Sequence, residues 1–414
     1  MRRGMVMLGA AAAVAAIAAL AAFRRSGRMD AELASVFFAA PVQVRLAADR
    51  ALPPASGEPR DVDASGRVLR IDGDEDGFGR IADLARNRGG DTLYVLDGMA
   101  KSVAAFDAGG RWLFAFGGEG GGPGEFRDPA AVMVLPWSGE MAVWDLATQR
   151  LAIHTSAGKE TRALKPAGGA DELVHRLEAV DGGFVAELRS NPLRVGAAAQ
   201  RGRLVAMDTA SRMTATLLRF ALPGVDATHR ESAAGRSSVT TWLKPPTWSP
   251  EPRWDALPDG TVVFAPGGPD EAYRVDRSGR AVRLHRPLRP AGVTRQDRLR
   301  NLDGLRQRRM IASPGTSLAV LEPLNRRFYA AVRPSVTGVL AGPAGAVWTR
   351  GFDTGESWRG FSRVWNVAAD AGAVRRVRLP AGFEPLQAEG GVIYGVSTDS
   401  LQVERVEAYR MEER

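Results

Sequence analysis

The sequence predicts an all-β fold, a six-bladed β-propeller, on three observations. The stretch 93–110 recurs 48 residues later at 141–158, so that Asp97 falls on Asp145, Val103 on Leu151, Ala105 on Ile153 and Gly110 on Gly158. In both copies apolar residues alternate with others over four or five positions, at 93–96 and 141–144, which suits short strands packed between neighbouring sheets. Finally, 47 Gly and 25 Pro in 414 residues, with 45% hydrophobic residues, supply turns for many strands and a core for one large domain. A period near 48 punctuated by Gly and Asp belongs to a ring of four-stranded meanders; a helical solenoid would show longer runs at a 3.6-residue period.

At the N-terminus, Arg2 and Arg3 precede nineteen uncharged residues, 5–23, ten of them Ala. This run predicts a signal peptide or membrane anchor over 1–28. Ala19-Leu20-Ala21 offers a small-x-small cleavage pattern, whereas Arg24, Arg25 and Arg28 suit an anchor charged on both sides. The remainder is expected to be extracytoplasmic, periplasmic or secreted, and tethered to the inner membrane by 5–23 where the segment is not cleaved. Residues 29–64 read as a linker and 65–414 as the propeller.

Blades one and two are the repeated units starting near residues 81 and 116. Blade three is read at 182–220, blade four at 254–288, blade five at 336–379 and blade six at 390–411. An open ring would leave an unpaired edge. The strand-like stretch 66–71, lying ahead of blade one, is therefore expected to supply the outer strand of the last blade, beside 403–409.

Blade two opens on Gly118-Glu119-Gly120 and then Pro123-Gly124-Glu125-Phe126. These residues resemble NHL-repeat-like six-bladed propellers, above all the exported bacterial family whose second blade begins with such a turn. The resemblance spans roughly 65–410 and is specific in the first two blades and at 252–260 and 380–385, where later blades open. It implies a binding or scaffolding role, since most such relatives have no assigned catalysis. More distantly, the chain is similar to gluconolactonase-like metal-dependent hydrolases and to the peptidylglycine lyase propeller. Their His-rich or Glu-Asn-Asp constellations have no residue-by-residue match among His154, His175, His229 and His285 and their surroundings.

The chain has no Cys, which excludes a lipobox, a disulfide framework, a thiolate metal site and a cysteine nucleophile. The net charge of +8 comes from a chain with only four Lys, at 101, 159, 165 and 244, the rest of its 55 basic residues being Arg. That bias, joined to abundant Ala and Gly, reads as base composition, and nothing resembling a nucleic-acid module accompanies it, so no nucleic-acid partner is expected. One dense basic stretch, 294–309, predicts an inserted helix capped by Thr294, with Leu299, Leu302 and Leu305 on one face. Its Arg295, Arg298, Arg306 and Arg308 are either a solvated face or a patch for an acidic partner, polysaccharide or lipid.

Three further sets carry possible chemistry. Asp72, Asp74, Asp76 and Asp83 match the spacing of an oxygen-ligand calcium loop, although the last ligand is not Glu, Gly79 replaces the usual apolar residue and no flanking helix is evident. Asp97 and Asp145 are channel acids in a catalytic reading, or strand ends bonding turn amides in a structural one; their repetition favours the latter. Trp242, Trp248 and Trp254 stand six residues apart on a Pro-rich excursion. They suit stacking on carbohydrate or peptide, or else packing between blades and over the ring. The sequence thus leads to an exported, non-catalytic binding or scaffold propeller for a protein, peptide or carbohydrate, with no cofactor beyond a possible calcium. The competing class is a metal-dependent hydrolase or lyase with its site in the central channel.

Overall fold

A computed structural model describes residues 42–53, 58–62, 66–73, 77–191, 200–223, 245–286, 291–308, 317–342, 345–357, 359–368 and 374–411. The signal or anchor segment, Trp242, Asp74, Asp76 and His229 lie outside them. Among the described residues no helix is long and apolar enough to cross a membrane.

Six antiparallel sheets form a six-bladed propeller. The innermost strands are, in order, Ile81–Arg86, Pro129–Val134, Glu172–Val180, Arg253–Ala256, Gly338–Ala341 and Phe383–Glu389. Each is hydrogen-bonded to one neighbour in its own sheet, and first strands of successive blades lie against one another around the axis. The outermost strands of blades one to three are Trp112–Gly117, Glu160–Leu164 and Met213–Ala221.

The inner strands of blades three and six start ahead of the boundaries read from the sequence. In blade three the pairing register shifts between Val174 and Arg176, making His175 a bulged residue. The buried positions Val174, Leu177 and Val180 are therefore three apart instead of two, which hides the strand from an alternation test. In blade six a similar shift falls between Pro385 and Gln387.

Ring closure follows the expected pairing: Arg67–Ile71 runs antiparallel to Glu404–Arg410, with Leu69 opposite Ala408 and Ile71 opposite Val406. The residues read as a linker do more than connect. Gln43 exchanges backbone hydrogen bonds with Arg219 of blade three. Arg45–Ala51 adds a fifth, parallel strand outside Arg280–His285 of blade four, and Arg60–Asp61 does the same on Val374–Arg378 of blade five. The chain before blade one therefore belts the rim of four consecutive blades.

Apolar side chains gather into a cluster at each contact between blades. Leu96 and Phe126 lie between blades one and two, Trp144 and Phe184 between two and three, and Trp254 and Phe264 between three and four. Val263 and Val347, Trp348 and Phe383, and Val95 and Val406 complete the circuit. Burying each of the larger side chains contributes about 1.5–3 kcal/mol. Two glycines of the repeat close turns with left-handed backbone, Gly110 at φ +84° and Gly158 at φ +83°. At Gly158 a Cβ would also come within 2.6 Å of the Phe116 ring, so the same residue lets a blade-two turn sit on blade one.

The turn Gly118–Phe126 folds back on itself: the Gly120 amide donates to the Phe126 carbonyl and the Phe126 amide to the Gly118 carbonyl. Glu125 Oε2 accepts from the Gly121 and Gly122 amides at 3.0 and 2.9 Å, while the Phe126 ring is fully buried. Between blades four and five the chain inserts helices α1 (Arg295–Gln307) and α2 (Leu318–Asn325). Thr294 caps α1 as expected, its hydroxyl accepting from the Asp297 amide while the Asp297 carboxylate accepts from the Thr294 amide.

Candidate functional site

Innermost strands present backbone groups to the axis that no neighbouring strand satisfies. Here charged side chains on those strands take over. Asp83 of blade one accepts from its neighbour Leu84 and, with its other oxygen, from the Val132 amide of blade two, both at 2.9 Å. Glu178 of blade three accepts from the Ala256 amide of blade four at 2.9 Å, and Asp255 of blade four from the Ala341 amide of blade five at 2.7 Å. Gln387 of blade six donates to the Leu84 carbonyl of blade one at 2.8 Å. Arg176 donates to the Trp254 carbonyl, lies 4.6 Å over the Trp254 ring, and ion-pairs with Glu178 and, at 3.8 Å, with Asp255. Asp83, Arg176 and Gln387 each directly follow an inner-strand bulge, a device that re-aims the next side chain.

Three carboxylates and one guanidinium thus share the hub. Burial pushes the Asp83 carboxyl up to about 6, against the opposing pull of the Leu84 and Val132 amides. Burial also raises Glu178 and Asp255, with Arg176 as the main counterweight in both. The Arg176 side chain nevertheless keeps 43% of its surface accessible, so channel solvent moderates these shifts. The positive charge that such a carboxylate set demands is supplied from within the chain, by Arg176. No group of three or more His, Asp or Glu among the described residues has the geometry to hold a metal ion. The signal in the sequence was an acidic residue within each of these first strands, but the strands also carry other charged residues, Arg86, Glu172 and Arg253 among them, and in blades one and three a bulge breaks the alternation.

The other candidates are placed as follows. Asp97 accepts from the amides of Gly79 (2.7 Å), Arg80, Met99 (2.8 Å) and Ala100, and Asp145 from those of Arg127, Asp128 and Thr148. Both end the second strand of their blade and bind turn amides; the hub carboxylates are Asp83, Glu178 and Asp255 instead. Burial pushes Asp145 upward, but the amides of Arg127, Thr148 and Asp128 outweigh it and hold the carboxyl below its ordinary value. In the acidic loop, Asp72 pairs with Arg70 and Arg405, while Asp83 sits in the hub, so the two described members of the calcium-like spacing have separate partners.

His154 is buried against Phe116 and Phe126, with Nδ1 3.2 Å from the Gly158 carbonyl, and burial lowers its proton affinity below the ordinary value. His175 is pushed down to about 4, first by burial and then by Arg189, and His285 lies 3.1 Å from Asp49. The histidines among the described residues, His154, His175 and His285, do not converge.

The basic stretch is largely paired. Arg298 is buried against Glu322, which Arg295 also approaches at 3.5 Å; Arg306 pairs with Asp303, and Arg308 donates to the Gly304 carbonyl. Arg295 keeps 64% of its side chain exposed. Trp248 is wedged between Tyr329 (5.1 Å) and Phe352 (5.0 Å), with its indole N–H donating to the Arg359 carbonyl. Trp254 packs between blades three and four and donates to Glu187.

Each blade has four antiparallel strands, so connections between blades emerge on one face of the ring. That face carries the helical insertion, Trp248 and the turn at 353–357. The insertion is fastened through Asp297, which accepts from the Thr354 hydroxyl of blade five at 2.8 Å and from Arg333, in the segment leading into that blade, at 2.6 Å.

Among solved structures the chain is similar to a Bacteroides fragilis protein named "Putative exported protein", at 10% identity over 88% of this chain and 100% of that one, with a TM-score of 0.52. It also matches virginiamycin B lyase from Staphylococcus aureus, at 9% identity over 80% and 95% of the two chains and a TM-score of 0.41. The calcium-binding protein regucalcin from Agrobacterium tumefaciens matches at 10% identity over 88% and 97%, with a TM-score of 0.39. The first likeness is one of fold alone, and the other two are weaker still. No family model and no curated protein matches the chain.

Proposed function

We propose that the protein is an exported, non-catalytic binding or scaffold propeller whose insertion-bearing face takes a protein, peptide or carbohydrate ligand. The observation that carries this reading is Arg176. In the channel, where a metal-dependent propeller enzyme would gather its acids around a cation, this chain places a guanidinium among Asp83, Glu178 and Asp255 and uses the carboxylates to brace inner-strand amides. Its elaboration lies elsewhere, in α1, α2 and the Trp248 loop. The reading includes kinship with the exported NHL-repeat-like propellers, resting on the Gly118–Phe126 turn, and membrane attachment through 5–23 where that segment is retained.

The second reading, a hydrolase or lyase of the gluconolactonase-like type, draws on the convergence of three carboxylates with raised proton affinity at the hub. Elemental analysis and melting scans of the purified protein separate the two. The scaffold reading expects no stoichiometric divalent ion, a melt insensitive to chelator and to added calcium, manganese or zinc, and metal-dependent stabilisation appearing only in Arg176→Ala. Stoichiometric metal in the wild-type protein, with a lower melting temperature after its removal, would favour the enzyme and overturn the scaffold reading.

A further inference from the structure

We propose that the α1–α2 insertion is a docking surface for an anionic lipid membrane, with Ala319, Val320, Pro323 and Arg326 of α2 seated at the headgroups. This docking is additional to the ligand proposed above and rests on the membrane attachment through 5–23 proposed with it.

Positive charge is concentrated here. Between 294 and 333 stand nine Arg, no Lys and three acidic residues, a formal +6 in a chain whose net charge is +8. The three acids are already engaged: Asp297 by Arg333, Asp303 by Arg306, and Glu322 by Arg298 and, at 3.5 Å, Arg295. The surplus stands at the surface, where Arg295 keeps 64% of its side chain accessible and Arg326 is exposed as well. Helix α2 is moreover turned inside out. Among its described side chains the buried one is the acid Glu322, whereas Ala319, Val320 and Pro323 are exposed, Val320 by 54%. Positions 319, 320 and 323 share one helical face, and Arg326, whose backbone keeps the αR conformation, falls on it three residues after Pro323. Apolar side chains beside exposed guanidiniums are what an interfacial helix offers to a negatively charged bilayer.

The path of the chain selects a membrane over a soluble acidic partner. Gln43, near the start of the described residues, pairs with Arg219, two residues from the end of blade three's outer strand. That end leads into the connection to blade four, on the face that carries the insertion. The chain thus enters the ring toward that face, and the stretch 24–41 ahead of it can span at most about 60 Å. With 5–23 in the bilayer, the ring is held at high effective concentration over lipid, so a patch too weak to dock from solution stays seated. Charge then decides which sector of the ring is presented, since an anionic surface draws the +6 stretch toward itself.

Because the chain has no Cys, Val320→Cys gives one attachment point for an environment-sensitive fluorophore in the full-length protein. The labelled protein is reconstituted into vesicles with brominated acyl chains, of phosphatidylcholine alone or of an equimolar mixture with phosphatidylglycerol. The label should be blue-shifted and quenched in the anionic vesicles only, and high salt should reverse both effects. The same label at Met213→Cys, at the other end of blade three's rim, should stay in water in both lipids. Arg295→Gln combined with Arg326→Gln leaves the Arg298–Glu322 pair in place and should lower the docked-to-undocked ratio by about thirtyfold. Should Val320→Cys lower the melting temperature, Ala319→Cys carries the label instead. Flotation reads the attachment separately. A protein that floats with both vesicles but is unquenched at 320, quenched equally in both lipids, or quenched equally at 213 would overturn the docking and leave the attachment standing. Flotation with the anionic vesicles alone, with quenching at 320, would remove the attachment and keep the docking, and flotation with neither would overturn both.

Discussion

Asp97 and Asp83 show how one residue type serves two ends within a single blade. Asp97 gathers four turn amides, and its match to Asp145 makes that role legible in the sequence itself, because a side chain that recurs at the same turn of two blades answers a need that recurs with the fold. Asp83 has no such counterpart; the matching position in blade two is Ala131. It ties blade one to blade two while holding its proton more tightly than an ordinary carboxyl, up to about 6. A carboxyl whose affinity for protons is higher folded than unfolded stabilises the fold at pH below its unfolded value near 4, and that contribution is lost as the pH rises through 6. Asp83→Asn keeps one acceptor and removes the titration. Urea unfolding of both proteins from pH 4 to 7 should show the variant gaining about 1 kcal/mol on the wild type over that range. A constant difference would mean that Asp83 does not titrate there.

At the scale of elements, the strands of blades one and two, the closing strand and the Thr294 cap could all be read from alternation, turn residues and capping chemistry. The inner strand of blade three could not. Its bulge at His175 breaks the two-residue period while placing Arg176 and Glu178 at the hub, so the feature that builds the candidate site is the one that conceals it. The basic helix was legible as a helix, but sequence alone could not foresee that Arg298 would be spent on Glu322. Within that insertion Asp297 is the fastening point, accepting from the Thr294 amide, Arg333 and Thr354. Burial raises its proton affinity, yet its partners, Thr294 first among them, leave the carboxyl below the ordinary value. Its stabilising contribution is therefore present above about pH 4 and is lost as the pH falls through its folded value. Asp297→Ala should release the insertion without unfolding the ring, because the Thr354 bond joins α1 to the surface of blade five and the Arg333 bond joins it to the segment leading into that blade. Hydrogen exchange at pH 7 should show protection of α1 amides falling by about 1–3 kcal/mol, with amides of blades one and two unchanged. Equal loss across all blades would instead make the insertion an integral part of the ring.

For the whole molecule, the decisive contact joins residues 67–71 to 404–410, because it turns a row of sheets into a ring. The preceding belt differs in kind: at Arg45–Ala51 and Arg60–Asp61 it adds strands to sheets that already have four. A chain beginning at residue 66 loses the belt and keeps the closure, and should melt cooperatively within a few degrees of the parent. One beginning at residue 79 loses Leu69 and Ile71 from the seam between blades six and one, and bares the backbone edge of Glu404–Arg410. Burial of Ile71 contributes about 1.5–3 kcal/mol and that of the half-buried Leu69 less, and the uncovered strand adds an unpaired edge. Calorimetry with light scattering should therefore find the second truncation destabilised by several kcal/mol more than the first and aggregating on heating. If the two truncations melted alike, closure would add nothing beyond what any edge strand adds, and the ring would be held by its blade-to-blade cores alone.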